Sequence, residues 1–371
     1  MTKARNIAEF ADDLSVSNGE VSIADLKPSQ SMMFRNKIIN GDMQIDQRNA
    51  GSSVVLSNAN NLPVDRWRAY AASGSGHTAQ QSTDVPSGVG FSNSVKLTVG
   101  TGASPAGSNL NIFYHVIEGY NISDLMFGST NAKFVTLSFW VKSTGLSYPA
   151  TFSASLQDGA IPIGTGIPKE YTISTSNTWE YKTLTFIGDV NTGSTYSNTN
   201  GKGLHITFDL GSGSDYEGSA NVWSSGNIKR TSSSVKLIET SGATLYITGV
   251  QLEEGSVATP FEHRPYGLEL GLCQRYYQYY NYIIFFSMTP GSSQTYWATS
   301  LSYNTTMRAN PTVVLTSPNN NTAPVLERWG GTDMAVSSVN AGVSQLSYAV
   351  LSSGNQSYDG AQAHVTLTAE L

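Results

Sequence analysis

Apolar and polar positions alternate with a period of two through much of this chain, as they do in strands with one buried face. Leu137, Phe139 and Val141 alternate with Ser138, Trp140 and Lys142, and Val95, Leu97 and Val99 alternate with Lys96 and Thr98. Between Leu245 and Leu252, Tyr246, Val250 and Leu252 fall on one side with Thr248 interrupting, while Leu245, Ile247, Gly249 and Gln251 fall on the other. The run 110–117, LNIFYHVI, is apolar on both sides. Ile38-Ile39 leads into Asn40-Gly41-Asp42, a strong turn, and further short runs lie at 171–173, 179–186, 204–210 and 235–238. Together they predict about ten strands over 35–265, with no convincing helical period, closing as two antiparallel sheets in a jelly-roll β-sandwich.

Glu253-Glu254-Gly255 ends the last of these strands, and Pro260 and Pro265 then hold the backbone extended. An aromatic run at 276–286 opens a second unit, followed by strand-like stretches at 296–303, 312–317, 345–351 and 364–370. Pro311, Pro318 and Pro324 mark its breaks. The expected fold is therefore all-β, a jelly-roll β-sandwich over 35–265 followed by a smaller C-terminal β-sandwich over 266–371. Residues 1–34 differ: Ile7, Phe10 and Leu14 make one apolar stripe on a helix too short to stand alone. That segment is either a frayed terminus or an attachment segment that orders on binding.

Composition narrows the function classes. Charged residues make up 13% of the 371, about half the usual share, and the net charge is −6. No Lys/Arg cluster suits phosphate backbones, so nucleic acid is not an expected partner. The single cysteine, Cys273, excludes an internal disulfide framework. The leading residues lack a signal-peptide core, and no run reaches the roughly 18 apolar residues of a membrane span. Unpaired strand edges in 266–371 are an aggregation liability, and copies of the chain are expected to cover them.

The stretch GVQLEEGSVATPFEHRPYGLELGLCQRYYQ (249–278) resembles a segment of bacteriophage fibre and receptor-binding proteins. There it joins a jelly-roll module, similar to carbohydrate-binding modules, to a terminal β-domain. RNKIINGDMQIDQRNAG (35–51) with VDRW (64–67), VTLSFWVKS (135–143) and MRANPTV (307–313) extend the likeness over most of 35–313. The resemblance implies a virion tail-fibre protein, made in the host cytoplasm, that adsorbs to a host surface polysaccharide as a homotrimer. Its residues 1–34, which begin MTKARN as many such fibres do, would attach to tail or other virion proteins. A purely structural collar, decoration or linking fibre is the alternative, and a polysaccharide depolymerase the third.

Several enzyme signatures are missing: no GxSxG elbow, HExxH helix or Walker loop is present, and the five histidines show no metal-ligand spacing. Acidic pairs that a glycosidase could draw on exist at Asp209, Asp215 and Glu217, and at Glu253 with Glu254. No enzymatic activity is expected. Aromatic rings stack on pyranose faces, which makes Trp140, Trp179, Tyr216 and Trp223 the candidate glycan contacts, each also readable as packing; Trp67 reads as core. No cofactor is required. Modules of the resembling type often carry a structural Ca²⁺, and the matching positions are Asn40, Asp42 and Glu253. Val250-Gln251 stands where such modules commonly carry paired aspartates, and Asp42 equally reads as a turn residue. The tyrosine run 276–282 is either an interface with a sister chain or an exposed adhesive stripe.

Overall fold

The computed structural model describes residues 16–17, 20–21, 34–160, 164–287, 296–321, 323–328, 333–351 and 360–371. The stripe of Ile7, Phe10 and Leu14 lies outside the described residues, as does most of the expected attachment segment. Two short strands there, β1 (Val16–Ser17) and β2 (Glu20–Val21), pair antiparallel.

The sandwich strands follow in order: β3 (Val54–Val55), β4 (Asn61–Val64), β5 (Trp67–Ala71), β6 (Thr78–Ser82), β7 (Ser94–Thr98) and β8 (Asn111–Glu118). After them come β9 (Val135–Thr144), β10 (Ala150–Gln157), β11 (Thr165–Ile173), β12 (Glu180–Phe186), β13 (Lys202–Asp209), β14 (Ser224–Ser225) and β15 (Thr244–Glu254). They form a seven-stranded sheet in the order β14-β11-β10-β13-β8-β5-β4 and a six-stranded sheet in the order β12-β9-β15-β7-β6-β3. The alternation read from the sequence buries one face of each. Phe139 of the six-stranded sheet meets Phe208 and Tyr171 of the other edge-on, at 4.9 and 5.0 Å between centroids. Trp67 is core, stacked on Phe113 at 4.8 Å with its indole N–H donated to the Asn40 carbonyl at 2.9 Å.

In β15 the structure corrects the facing. A register shift between Thr248 and Gln251, with Gly249 at φ +61°, swaps sides midway along the strand. Leu245, Ile247, Val250 and Leu252 therefore all point into the core, and Tyr246 points out.

The second unit has β16 (Tyr277–Ser287), β17 (Tyr296–Ser302), β18 (Thr312–Thr316), β19 (Val325–Arg328), β20 (Asp333–Ala341), β21 (Gln345–Leu351) and β22 (Ala361–Thr368). Its sheet runs β16-β17-β21-β20-β19-β22-β18, and β16 also pairs with β22, which closes it into a barrel. Closure pairs β16 with β22 within one chain, and among the described residues β18 pairs with β22 alone. Phe285, Trp297, Leu326, Leu346 and Val365 fill its core.

A helix, α1 (Tyr266–Gln274), joins the two units and buries Glu269 and Cys273. Tyr276, Cys273 and Leu371 pack on Ile39, Ile45, Ile112, Tyr114 and Val116 of the sandwich. Around that patch Glu370 meets Arg66, Arg48 at 2.9 Å and Arg68 at 3.9 Å, while Arg275 pairs with Glu118 at 2.6 Å. The Arg66 and Arg48 guanidiniums lie 3.5 and 3.8 Å over the Tyr276 and Tyr277 rings. So the tyrosine run divides: Tyr276 and Tyr277 are buried at this junction, and Tyr279 and Tyr282 are exposed. Among the described residues no helix is long and apolar enough to cross a membrane.

The turn at Gly41 clasps β15. Val250 N–H donates to the Gly41 carbonyl at 2.8 Å, and a Cβ at Gly41 would stand 2.2 Å from the Val250 oxygen. Backbone must move to admit it, so Gly41→Ala should cost about 1–3 kcal/mol. A lower urea midpoint at unchanged slope is the expected reading.

Candidate functional site

The register of the seven-stranded sheet sets side chains in rows on its outer face. One row is Arg68, Tyr114, Thr207 and Ser155; the next is Val116, His205 and Gln157. Their chain neighbours Trp67, Phe113, Ile206 and Phe208 point the other way, into the core. An alternating strand would leave this polar face wet, yet two elements cover it. The barrel covers one flank through Tyr276 and Leu371. The segment 226–235 crosses the other, and Arg230 pins it.

Arg230 is fully buried. It donates to the Ser212 carbonyl at 2.8 Å and to that of Ser234. Its Nη1 is 3.3 Å from Glu217, and its Nε is 3.5 Å from Asp209, an ion pair rather than a hydrogen bond. Burial pushes the Asp209 carboxyl above its usual range, against the hydrogen bonds from Ser212 and the charge of Arg230.

Between these covers lies a cleft of about 320 Å³ lined by Asn60, Arg68, Tyr70, Tyr114, Lys202, His205, Tyr216, Asn227, Lys229 and Leu371, with Leu110 and Ile112. Its size falls in the range of small-ligand sites. Tyr114 and His205 lie nearly parallel, 6.3 Å apart, and the Tyr114 hydroxyl donates to Asn60 at 2.5 Å. Tyr216 is held at the rim by a 3.0 Å bond to the Ser108 carbonyl. Lys229 donates to the Gln157 amide oxygen, and Gln157 donates in turn to Asn227 at 2.9 Å. Among the described residues, His205 Nε2, Thr207 Oγ1 and Ser155 Oγ are buried with no hydrogen-bond partner. Such groups are uncommon and call for a partner.

Burial pulls Lys229 down to about 7, with Asp158 and Asp209 opposing the shift. Burial also holds His205 well below its ordinary value, helped by the charges of Lys229, Lys202 and Arg68. The imidazole is thus neutral, with one ring nitrogen to donate and one to accept.

Of the residues expected to contact glycan, Tyr216 lines this cleft. Trp140 and Trp179 lie instead on the outer face of the six-stranded sheet. Trp140 is 5.4 Å from Tyr181, and the pair walls a groove of about 670 Å³ with Phe91, Phe261 and His263 opposite. Trp179 is engaged by Asp84 at 3.1 Å, with Lys142 5.4 Å from its ring. Trp223 packs edge-on against Phe127, its N–H on the Ile187 carbonyl at 3.0 Å, and so serves the sandwich core.

The side chains of Asn40, Asp42 and Glu253 each bond to other groups of the protein. The Asn40 side chain spans the turn to Ile45 and Asp65, Asp42 accepts from Gln44, and Glu253 accepts from Thr259 at 2.8 and 2.6 Å. Among the described residues no group of His, Cys, Asp and Glu is arranged to hold a metal ion. The acidic positions Asp209 and Glu217 both face Arg230, and Glu254 pairs with Lys133 at 2.9 Å.

Sequence reasoning passed over Tyr70, Tyr114, His205 and Lys229. The one available signal was that His205, Thr207 and Asp209 alternate with Leu204, Ile206 and Phe208.

No family model matches the chain, and no curated protein is similar to it in sequence. Among solved structures, it is similar to the enzymatically active domain of tailspike protein 4 from bacteriophage CBA120, at 16% identity over 60% of this chain with a TM-score of 0.31. This chain spans about a fifth of that one, 22%. A family 4 carbohydrate-binding module matches at 14% identity over 58% of this chain and 98% of its own, with a TM-score of 0.28. The family 11 module from Clostridium thermocellum, solved with a β-1,3-1,4-mixed-linked tetrasaccharide, matches at 14% over 56% and 98%, with a TM-score of 0.26.

Proposed function

We propose that this chain is a bacteriophage fibre protein that binds a saccharide of the host surface in the cleft on the seven-stranded sheet. The observation that carries the binding reading is the buried, unpartnered His205 Nε2 set among tyrosine rings, carboxamides and lysines. Rings offer apolar faces for a pyranose to stack on, and Asn60, Asn227 and His205 offer hydrogen bonds to its hydroxyls. The assignment to a fibre rests on the sequence resemblance across 35–313. Among the described residues no Asp or Glu lines the cleft, and glycoside cleavage ordinarily uses a pair, so the reading is binding without turnover. Weak single contacts, multiplied in a homotrimer and over several fibres, give adsorption by avidity.

Calorimetric titration with fragments of host surface polysaccharide tests this. Tyr70→Ala and Tyr216→Ala each remove a rim ring and should weaken binding about 5- to 15-fold, roughly 1–1.5 kcal/mol. Trp140→Ala should leave it unchanged. Should Trp140→Ala be the damaging change, the aromatic groove on the six-stranded sheet is the site. A full set of host polysaccharides that fails to bind would leave a structural component of the particle.

A further inference from the structure

We infer that the cleft selects an anionic saccharide, a pyranose bearing one negative charge as a ring carboxylate or an ester sulfate, held by Lys229, Lys202 and Arg68. This rests on the saccharide reading above and adds the class of sugar.

The chain as a whole is acidic, with a net charge of −6, yet among the described residues three cationic side chains and no Asp or Glu line this cleft. None of the three makes a close ion pair with an anion of its own, Lys229 having the longer-range charges of Asp158 and Asp209. The Lys229 ammonium bonds to the neutral amide of Gln157. Lys202 makes no ion pair among the described residues, its side chain standing in reach of the charges of Arg68 and Arg308. Arg68 has Glu370 at 3.9 Å, a carboxylate already shared with Arg48 and Arg66.

The three cations also converge. Lys229, Lys202 and Arg68 all act on the same imidazole, His205, from three separate elements: the crossing segment, the start of β13 and the middle of β5. An anion beside that ring would be met by charge-assisted bonds from more than one side. A neutral sugar there would leave the buried Lys229 ammonium with the Gln157 amide as its hydrogen-bond partner and no anion in contact, a costly state. The counter-charges near Lys229 are Asp158, just past β10, and Asp209, at the end of β13, and Asp209 already pairs with Arg230.

Titration also gives a signature. Lys229 sits near 7 in the free protein, so its charge fades as pH rises above that value. Affinity for an anion should then fall between about pH 6 and 8.5, while affinity for a neutral sugar should not.

The test compares three oligosaccharides against the full chain by titration: a glucuronate-containing tetrasaccharide, the same tetrasaccharide with its carboxyls reduced to alcohols, and a neutral tetrasaccharide carrying one ester sulfate. At least a tenfold preference for the uronate or the sulfate over the reduced sugar is expected, and the stronger arm identifies the anion. Lys202→Gln, on a half-buried side chain, should erase most of that preference. Lys229→Met, which keeps the buried stem, should erase it together with the pH dependence. Equal binding of charged and reduced forms overturns the anionic assignment and leaves the saccharide reading standing. Binding of none of the three, with Tyr70→Ala without effect on host polysaccharide, overturns both.

Discussion

Replacing Glu370 with glutamine should lower stability by about 3–5 kcal/mol and loosen the barrel from the sandwich. The side chain is 7% exposed and faces Arg66, itself 2% exposed, along with Arg48 and Arg68. Glutamine keeps the shape and part of the hydrogen bonding but removes the negative charge that Arg66, Arg48 and Arg68 share, leaving Arg48 its second partner, Asp65, at 3.0 Å. Arg66 cannot turn to water, because its guanidinium lies on the Tyr276 ring and donates to the Val116 carbonyl at 2.6 Å. A buried cation without its partner is the costly outcome.

Burial pushes the Glu370 carboxyl up, but Arg66, Arg48 and Arg68 more than offset that and hold it below the ordinary carboxylate value. Its contribution is therefore complete above that ordinary value and is lost as pH falls through the lower folded one. The stability gap between wild type and Glu370→Gln should be constant near neutrality and shrink below about pH 4. Denaturant melts at several pH values read the gap directly. Asp209, raised by burial, changes stability in the opposite sense in both proteins and cancels in the difference, whereas Asp65, raised by burial and also by the Glu370 charge, is relieved of that charge in the variant. A gap that stays wide in acid would mean that shape and not charge makes the junction.

That junction could not be read from the chain. In YGLELGLCQ the leucines at 268, 270 and 272 alternate as a strand would, and two glycines argue against a helix. The stretch is nevertheless helical, because the buried contacts come from Glu269 and Cys273, one turn apart, and Glu269 is drawn inward by Arg264 at 3.3 Å and the Asn40 N–H. The sandwich itself was legible where one face is apolar and the other polar, as at 137–142, and Phe139 against Trp140 resolves as that pattern requires. The cleft was not, since its floor is a polar face that becomes buried only through residues some 20 positions later and through the barrel. A period of two says which residues share a face; it cannot say what later covers that face. Tyr216 and Trp223 share one Gly/Ser-rich loop with nothing local to pack on, yet Tyr216 lines the cleft while Trp223 meets Phe127 from far along the chain.

Arg230→Met should be about as damaging as the change at Glu370, and it should abolish binding in the cleft without touching a ligand. Arg230 is not among the residues that line the cleft. It holds the crossing segment by bonds to the Ser212 and Ser234 carbonyls and by its ion pairs to Asp209 and Glu217. Methionine fills the volume of the stem but leaves those two carbonyls and the buried Asp209 carboxylate without their cation, a loss of about 3–5 kcal/mol. Asp209 would respond by taking up a proton, since its folded value is already raised by burial and would rise further once Arg230 is gone. The consequence for function follows from chain connectivity. Lys229 is the residue before Arg230 and Asn227 lies two further back, so releasing the segment removes one wall of the cleft and a cation with it. Asp209→Asn with Arg230→Met is the companion variant, because it removes the buried charge while the segment stays unpinned. That double change should recover much of the stability lost by Arg230→Met, read in denaturant melts, and recover none of the saccharide affinity, read by titration. Recovery of both together would mean that Arg230 serves stability alone and that the cleft wall stands without it.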